Sequence, residues 1–274
     1  MQDMFFVRFH EVTLLIYLLS ISCYFYDFFK KNHKIRTLGF YTLGIVWVLQ
    51  TISLSLYINM AKAVPLGSVF DVFYFLNWLI LSFSIVISVV KHLEFSIFLF
   101  NAIGFIVMAI HTFRPNETFI QKAEFNVNHE LLIIHVSLAI VSYAFFSLAF
   151  VNAALYVLQY RNLKQKHFDQ KYFRIGSVNT LEKMTFYSTI IGFTLLVIGV
   201  ILGAQWGFQT IGYNILLDPK VISSIIVMVC YVIYILIRTK KWVSPINQVL
   251  FNMLIYMFSM FNLIFVSHFP NFFG

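Results

Sequence analysis

What most constrains this chain is a series of long, uninterrupted apolar runs divided by short breaks that carry charge, Pro or Gly. Eight runs stand out, at 9–29, 38–60, 69–90, 95–113, 131–160, 184–203, 221–237 and 249–269. Each approaches or exceeds the ~20 residues that carry a helix across a bilayer. The runs are continuous and do not alternate with period two, so they are read as helices and not as barrel strands. Composition agrees. Of 274 residues, 60% are hydrophobic and 11% charged, with a mean hydropathy of +0.83. A soluble domain carries about 25% charged residues. The expected fold is an all-α polytopic membrane protein, a bundle of eight transmembrane helices in one integral membrane domain over 1–274, with no stretch left for a soluble domain. The run 131–160 is longer than a bilayer requires and is expected to project on one side. The amino terminus lacks a basic region and a cleavage site, so the first span is expected to be retained.

The net charge of +8 acquires a direction once the charges are sorted by loop. Fourteen of the 19 Lys and Arg fall in alternate loops on one side, and five fall on the other. Positive loops resist translocation, so the 14-residue side is expected to be cytoplasmic and both termini outside. The basic excess then reflects topology and attraction to anionic lipid of the bilayer, and no nucleic-acid role is expected. The loop 161–183 is basic enough to dock a cytoplasmic partner. Trp47, Trp78, Trp206 and Trp242 include candidate interface anchors.

Cys23 and Cys230 lie in apolar runs and outside any CxxC or CxxCH motif, which excludes a disulfide framework, a zinc site and covalent haem attachment. There is no HExxH, GxSxG or P-loop pattern and no pair of carboxylates inside a span, so no enzyme activity is expected. Asp71, at an outer span end, comes nearest to an intramembrane charge.

The histidines are the informative residues. His33, His92 and His167 fall in or beside cytoplasmic loops, whereas His10, His111, His129, His135 and His268 fall at the outer ends of spans or just beyond them. Imidazole is a usual axial ligand of haem iron, and one His from each of two helices across a shared outer pocket would clamp a planar porphyrin. Solvated imidazoles at the membrane interface fit the same positions. His135 and His268 are the stronger candidates. His135 opens a helix bearing Ser142 and Asn152, and His268 follows one bearing Asn252, Ser259 and Asn262 in a polar stripe. Such stripes equally serve hydrogen bonding between helices. His10-Glu11 reads as an interface ion pair, as a second haem-ligand site, or as neither. The segment 203–220 carries little charge and ends in Asp218-Pro219, a helix-start signal. It reads as an external segment lying at the interface, or as a plain apolar loop.

Two of these stretches carry a family resemblance. His135-Val136-Ser137 with Ser142-Tyr143-Ala144 resembles the HVSxxxxSYA helix start of the CcsA/ResC/CcmC-type cytochrome c assembly superfamily. Residues 203–220 resemble that superfamily's tryptophan-rich WWD segment, GAxWAxxxWGxYWxWDPK, through Gly203, Ala204, Trp206, Gly212, Asp218, Pro219 and Lys220. Ile211, Ile215 and Leu217 replace its later tryptophans, and the histidine that assembly members carry late in the following helix falls near Leu236. The first half is similar to the HemX branch, through His10-Glu11, Trp47-Val48-Leu49-Gln50-Thr51 and Ala109-Ile110-His111-Thr112-Phe113.

The resemblance implies a multi-pass protein of the bacterial cytoplasmic membrane. It implies non-covalent haem b held by His135 and His268, with Trp206, Asp218 and His10 as further cofactor-binding candidates. It also implies a place in tetrapyrrole biosynthesis, as a negative effector of the level of glutamyl-tRNA reductase, with that enzyme or another cytoplasmic protein as partner of the 161–183 loop. A flat tryptophan shelf suits stacking a porphyrin. Its loss here implies weak haem presentation. The alternative is haem transport or chaperoning in cytochrome c assembly. An unrelated transporter would call for charges and broken helices at mid-membrane.

Overall fold

A computed structural model of the chain describes residues 2–61, 69–90, 94–113, 130–166, 172–210 and 212–265. The helices are α1 (Gln2–Lys30), α2 (His33–Ala61), α3 (Val69–Val90), α4 (Glu94–Thr112), α5 (Glu130–Lys164), α6 (Val178–Thr210), α7 (Pro219–Lys240) and α8 (Pro245–Phe265). Two short 3₁₀ turns join them, at Tyr172–Arg174 and Gly212–Leu217. All eight α-helices are long and apolar enough to cross a bilayer. The protein is an all-α, multi-pass membrane protein.

Several helices outrun the apolar segments that reveal them. Apolar runs mark only what lies in hydrocarbon, whereas the helix continues through the interface wherever capping residues permit. Thus α2 starts at His33 because Asn32 Oδ1 accepts from the backbone N–H of Lys34 (3.1 Å) and of Ile35 (3.4 Å). α6 starts at Val178 because Ser177 Oγ accepts from the N–H of Thr180 at 3.2 Å. At its other end α6 runs to Thr210, so residues 203–210 of the expected external segment form its last two turns. α5 has 35 residues and α6 has 33, lengths of roughly 50 Å at 1.5 Å per residue, beyond the ~30 Å of hydrocarbon.

The helices fall into two compact units. The amino-terminal unit comprises Met1–Asn128 with Phe168–Ile175, and so holds α1 to α4. Its apolar core includes Leu14, Tyr17, Leu43, Val46, Leu81 and Met108. Polar bonds tie its helices together: Tyr17 donates to Asn101 Oδ1 and Asn101 Nδ2 to Ser84 Oγ, both at 2.9 Å. Trp47 donates to Ser82 Oγ (2.8 Å) and Trp78 to Thr51 Oγ1 (2.9 Å). These two tryptophans join α2 to α3. In hydrocarbon such bonds add to packing because water offers no substitute.

The carboxy-terminal unit comprises His129–His167 with Gly176–Gly274 and holds α5 to α8. α5 and α6 form its most extensive helix pair. Phe146, Leu196, Val227, Tyr231, Tyr234 and Ile255 make its core. The polar residues of α5 and α8 bond between helices: Asn252 Nδ2 donates to Thr189 Oγ1 (2.9 Å), Ser147 Oγ pairs with the Tyr256 hydroxyl (2.8 Å), and Tyr143 donates to the Ser259 carbonyl (3.3 Å).

Two buried or half-buried ion pairs were not read from the sequence. In the carboxy-terminal unit Arg238 pairs with Glu182 at 2.8 Å, its guanidinium 5.1 Å from the Phe186 ring centroid. In the amino-terminal unit Arg174 meets Asp27 at 2.7 Å, and the Asp27 side chain is 3% exposed. The same guanidinium donates to the carbonyls of Asp27 and Phe28 near the end of α1 and lies 5.7 Å from the Phe28 ring centroid. A cation at a helix carboxy terminus satisfies orphan carbonyls and offsets the helix dipole.

Removing Arg174 strands the Asp27 carboxylate. Arg174→Ala is expected to cost about 3 kcal/mol of unfolding free energy in detergent, and adding Asp27→Asn to recover part of that loss. A double-mutant cycle with no coupling between the two positions would contradict this reading.

Candidate functional site

Two histidine-centred sites are built from these helices, one in each unit. In the amino-terminal unit His10 (α1), Ser53 (α2), Tyr74 (α3) and His111 (α4) converge. The His10 and His111 rings lie 5.1 Å apart, centroid to centroid, and Tyr74 lies 5.2 Å from His10 and 4.7 Å from His111. His10 is 4% exposed and His111 3%. His10 Nε2 is 2.9 Å from Ser53 Oγ. His111 Nδ1 is 2.8 Å from the Phe70 carbonyl, an acceptor only, so that nitrogen carries the proton. Tyr74 donates to the Gln50 carbonyl at 3.0 Å. Glu11 does not pair with its neighbour His10. Its carboxylate accepts from Arg8 at 2.7 Å.

In the carboxy-terminal unit His135 stands in the second turn of α5 and faces α6. Its Nδ1 donates to the Gly199 carbonyl at 2.6 Å. A carbonyl accepts and never donates, so Nε2 keeps its lone pair. This is the arrangement that orients a metal-binding imidazole, with the second nitrogen anchored on a backbone oxygen. The close approach depends on glycine. Gly199 and Gly203 lie one turn apart on the same face of α6. A Cβ on Gly203 would stand 2.6 Å from His135 Nδ1 and 2.7 Å from Cε1, and one on Gly199 3.4 Å from the His135 carbonyl oxygen. Trp206 follows one turn later on that helix. It is half-buried, and its indole Nε1 is buried with no hydrogen-bond partner among the described residues.

After Thr210 the chain turns back through Gly212–Leu217, where Ile215 packs onto Gly207. Asp218 then caps α7. Its Oδ1 accepts from the Lys220 N–H at 2.7 Å, and Pro219 takes the first helical position. That carboxylate therefore gives α7 a fixed start, through one of its two oxygens.

His135, Trp206 and Asp218 belong to the carboxy-terminal unit, where His135 meets Gly199 and Gly203 of α6, and His10 belongs to the amino-terminal one. His268, like His92, His129 and His167, lies outside the described residues. Among the described residues no group of three or more His, Cys, Asp and Glu gathers in metal-binding range. The Gly199-Val200-Ile201-Leu202-Gly203 spacing, which prepares the groove for His135, was not read from the sequence. The small-xxx-small pattern is the signal that announces it. Nor was the joining of His10 with His111 and Tyr74. Their shared end of the bundle follows from alternating helix direction, but their adjacency does not.

Residues 40–272 match the family described as Cytochrome C assembly protein. The chain is 35% identical over 264 residues to Protein HemX of Bacillus subtilis (strain 168), covering 96% of this chain and 95% of that protein. It is 32% identical over 231 residues to Protein HemX of Brevibacillus brevis, covering 84% and 85%. Similarity to the cytochrome c biogenesis protein CcsA of Guillardia theta is 24% over 254 residues, covering 85% and 84%.

The glycine groove yields a direct test. Gly203→Ala is expected to destabilise the protein by about 1–3 kcal/mol through overpacking against the imidazole. Gly44→Ala, where nothing lies within 4 Å of the new methyl, is expected to be neutral or to stabilise by up to about 1 kcal/mol. Equal behaviour of the two variants in unfolding by denaturing detergent would show that His135 does not occupy the groove.

Proposed function

Because this chain belongs to the cytochrome c assembly protein family, with HemX proteins as relatives over most of its length, we propose that it is a HemX-type protein of haem biosynthesis that lowers the level of glutamyl-tRNA reductase. In this reading it binds haem b non-covalently through His135 and His268, at the outer face of the membrane. The observation that carries the haem assignment is the anchoring of His135. Its Nδ1 proton is committed to the Gly199 carbonyl, which leaves Nε2 as a ligand in a glycine-lined groove. A second imidazole would complete a bis-His site, and His268 is the candidate for it by sequence. Bound there, haem would supply an iron centre that reports its own availability.

The residues present fit that group. The indole N–H of Trp206, buried without a partner among the described residues, supplies a donor for a propionate oxygen. Its ring supplies an apolar surface near the porphyrin. Asp218 positions the turn between α6 and α7 through its cap. His10, whose Nε2 is engaged by Ser53, is the candidate for a second haem-ligand site in the amino-terminal unit. The basic loop 161–183 is the proposed cytoplasmic docking surface for the reductase or another protein.

The second reading is haem delivery for cytochrome c assembly, favoured by the family match over residues 40–272. Deletion separates the two. Raised reductase and porphyrin with normal c-type cytochromes support the regulatory reading, and loss of c-type cytochromes supports delivery. Purified protein is expected to show a Soret band that sharpens on reduction. His135→Ala and His268→Ala are each expected to weaken haem retention at least tenfold, an effect on the order of 1.4 kcal/mol or more. A haem-free protein, or unchanged spectra in both variants, would overturn the binding assignment.

A further inference from the structure

At the end of the carboxy-terminal unit away from His135, a groove of about 250 Å³ opens between the last turns of α5 and the first turns of α8. It is lined by the cations Arg161 and Lys164, by Tyr160 and Gln165, and by the apolar Val157, Ile246 and Leu250. The two cations are three residues apart on one helix and therefore share a face. Among the described residues no acidic side chain lines this groove. The neighbouring groove across α8 differs in this respect, because Glu182 there neutralises Arg238. Two cations without an acidic partner among the described residues, beside apolar side chains at the ends of two spans, put polar and apolar parts in one cleft.

The apolar part continues. Leu250, Leu254, Met257 and Phe261 recur at intervals of four, three and four residues, which keeps them on one face of α8, and all four are exposed. From Leu250 to Phe261 the stripe rises ~16 Å. Half of a ~30 Å hydrocarbon core is ~15 Å. The stripe therefore begins at the cationic groove and runs the depth of one leaflet.

We propose that this groove binds the headgroup of an anionic phospholipid, with Arg161 and Lys164 on the phosphate and one acyl chain laid along Leu250, Leu254, Met257 and Phe261. Guanidinium and ammonium groups on neighbouring turns match phosphate oxygens by charge and by hydrogen-bond geometry. Basic pockets between membrane helices hold anionic headgroups in this way. A zwitterionic lipid carries its own cation beside the phosphate and loses that advantage. A soluble protein segment is a poorer match, because the exposed stripe lies along a helix long and apolar enough to span the bilayer. Arg161 and Lys164 also open the 161–183 segment proposed above for docking, but the lipid assignment rests on the groove and the α8 stripe and not on haem binding or that docking.

The test is native mass spectrometry of the full chain in neutral detergent, titrated with dioleoyl-phosphatidylglycerol or dioleoyl-phosphatidylcholine. The expected result is preferential retention of phosphatidylglycerol. It weakens roughly tenfold or more in Arg161→Gln/Lys164→Gln, and is unchanged in Lys30→Gln/Lys34→Gln, which removes two exposed charges from the other unit. All four side chains are exposed, so both variants are expected to keep the unfolding temperature of the parent in lipid-free detergent. Equal retention of the two lipids overturns the proposal. So does an equal loss in the two double variants, which would mean diffuse charge attraction. Displacement of phosphatidylglycerol by equimolar inorganic phosphate would also overturn it, since the acyl chain would then contribute nothing.

Discussion

Hydrocarbon offers no hydrogen bonds, and this structure follows from that fact. Every span must satisfy its backbone internally, so all eight are helices. Once that is done, the spans are nearly interchangeable in apolar character. What selects one packing is a small set of polar contacts and close approaches. Tyr17, Asn101 and Ser84 tie α1, α4 and α3. Asn252 and Thr189 tie α8 to α6. The glycines of α6 admit α5 to a distance that larger residues would forbid. A buried donor or acceptor that loses its partner has nothing in the bilayer core to replace it.

The two histidine sites use this scarcity differently. Ser53 both donates and accepts, so the bond to His10 is compatible with either tautomer. The Gly199 carbonyl only accepts, so His135 is fixed in one. His10 is buried among the rings of Phe9 on its own helix, Tyr74 on α3 and His111 on α4, whereas His135 stays half-buried against the glycines of α6. A fixed tautomer with partial access suits an incoming ligand. Full enclosure suits packing and orientation.

Apolar runs are a direct record of the bilayer's demand, so the eight spans, their helical state and the family were legible in the sequence. The Asp218-Pro219 helix start was legible too, because capping is a local property. The continuation of α6 through residues 203–210 was not, because helix propensity persists after hydropathy falls. The contacts of Arg174 with Asp27, and of His10 with His111, were also hidden. Each joins residues more than 100 positions apart, and a pattern within one segment carries no record of such partners. His135 was found by its motif. Its anchor on Gly199, 64 residues later, was not.

The uninterrupted length of α5 has a mechanical consequence. Between Glu130 and Lys164 there is no Pro and no Gly, the residues at which sharp kinks arise. His135 and Lys164 are therefore ends of a single stiff rod, 29 residues and ~44 Å apart. A rod without a joint does not absorb a displacement by bending. Any push, tilt or rotation applied at the histidine end reappears at the lysine end, on the opposite side of the bilayer. The compliance needed for the two ends to behave independently must come from the contacts α5 makes with its neighbours, above all with α6.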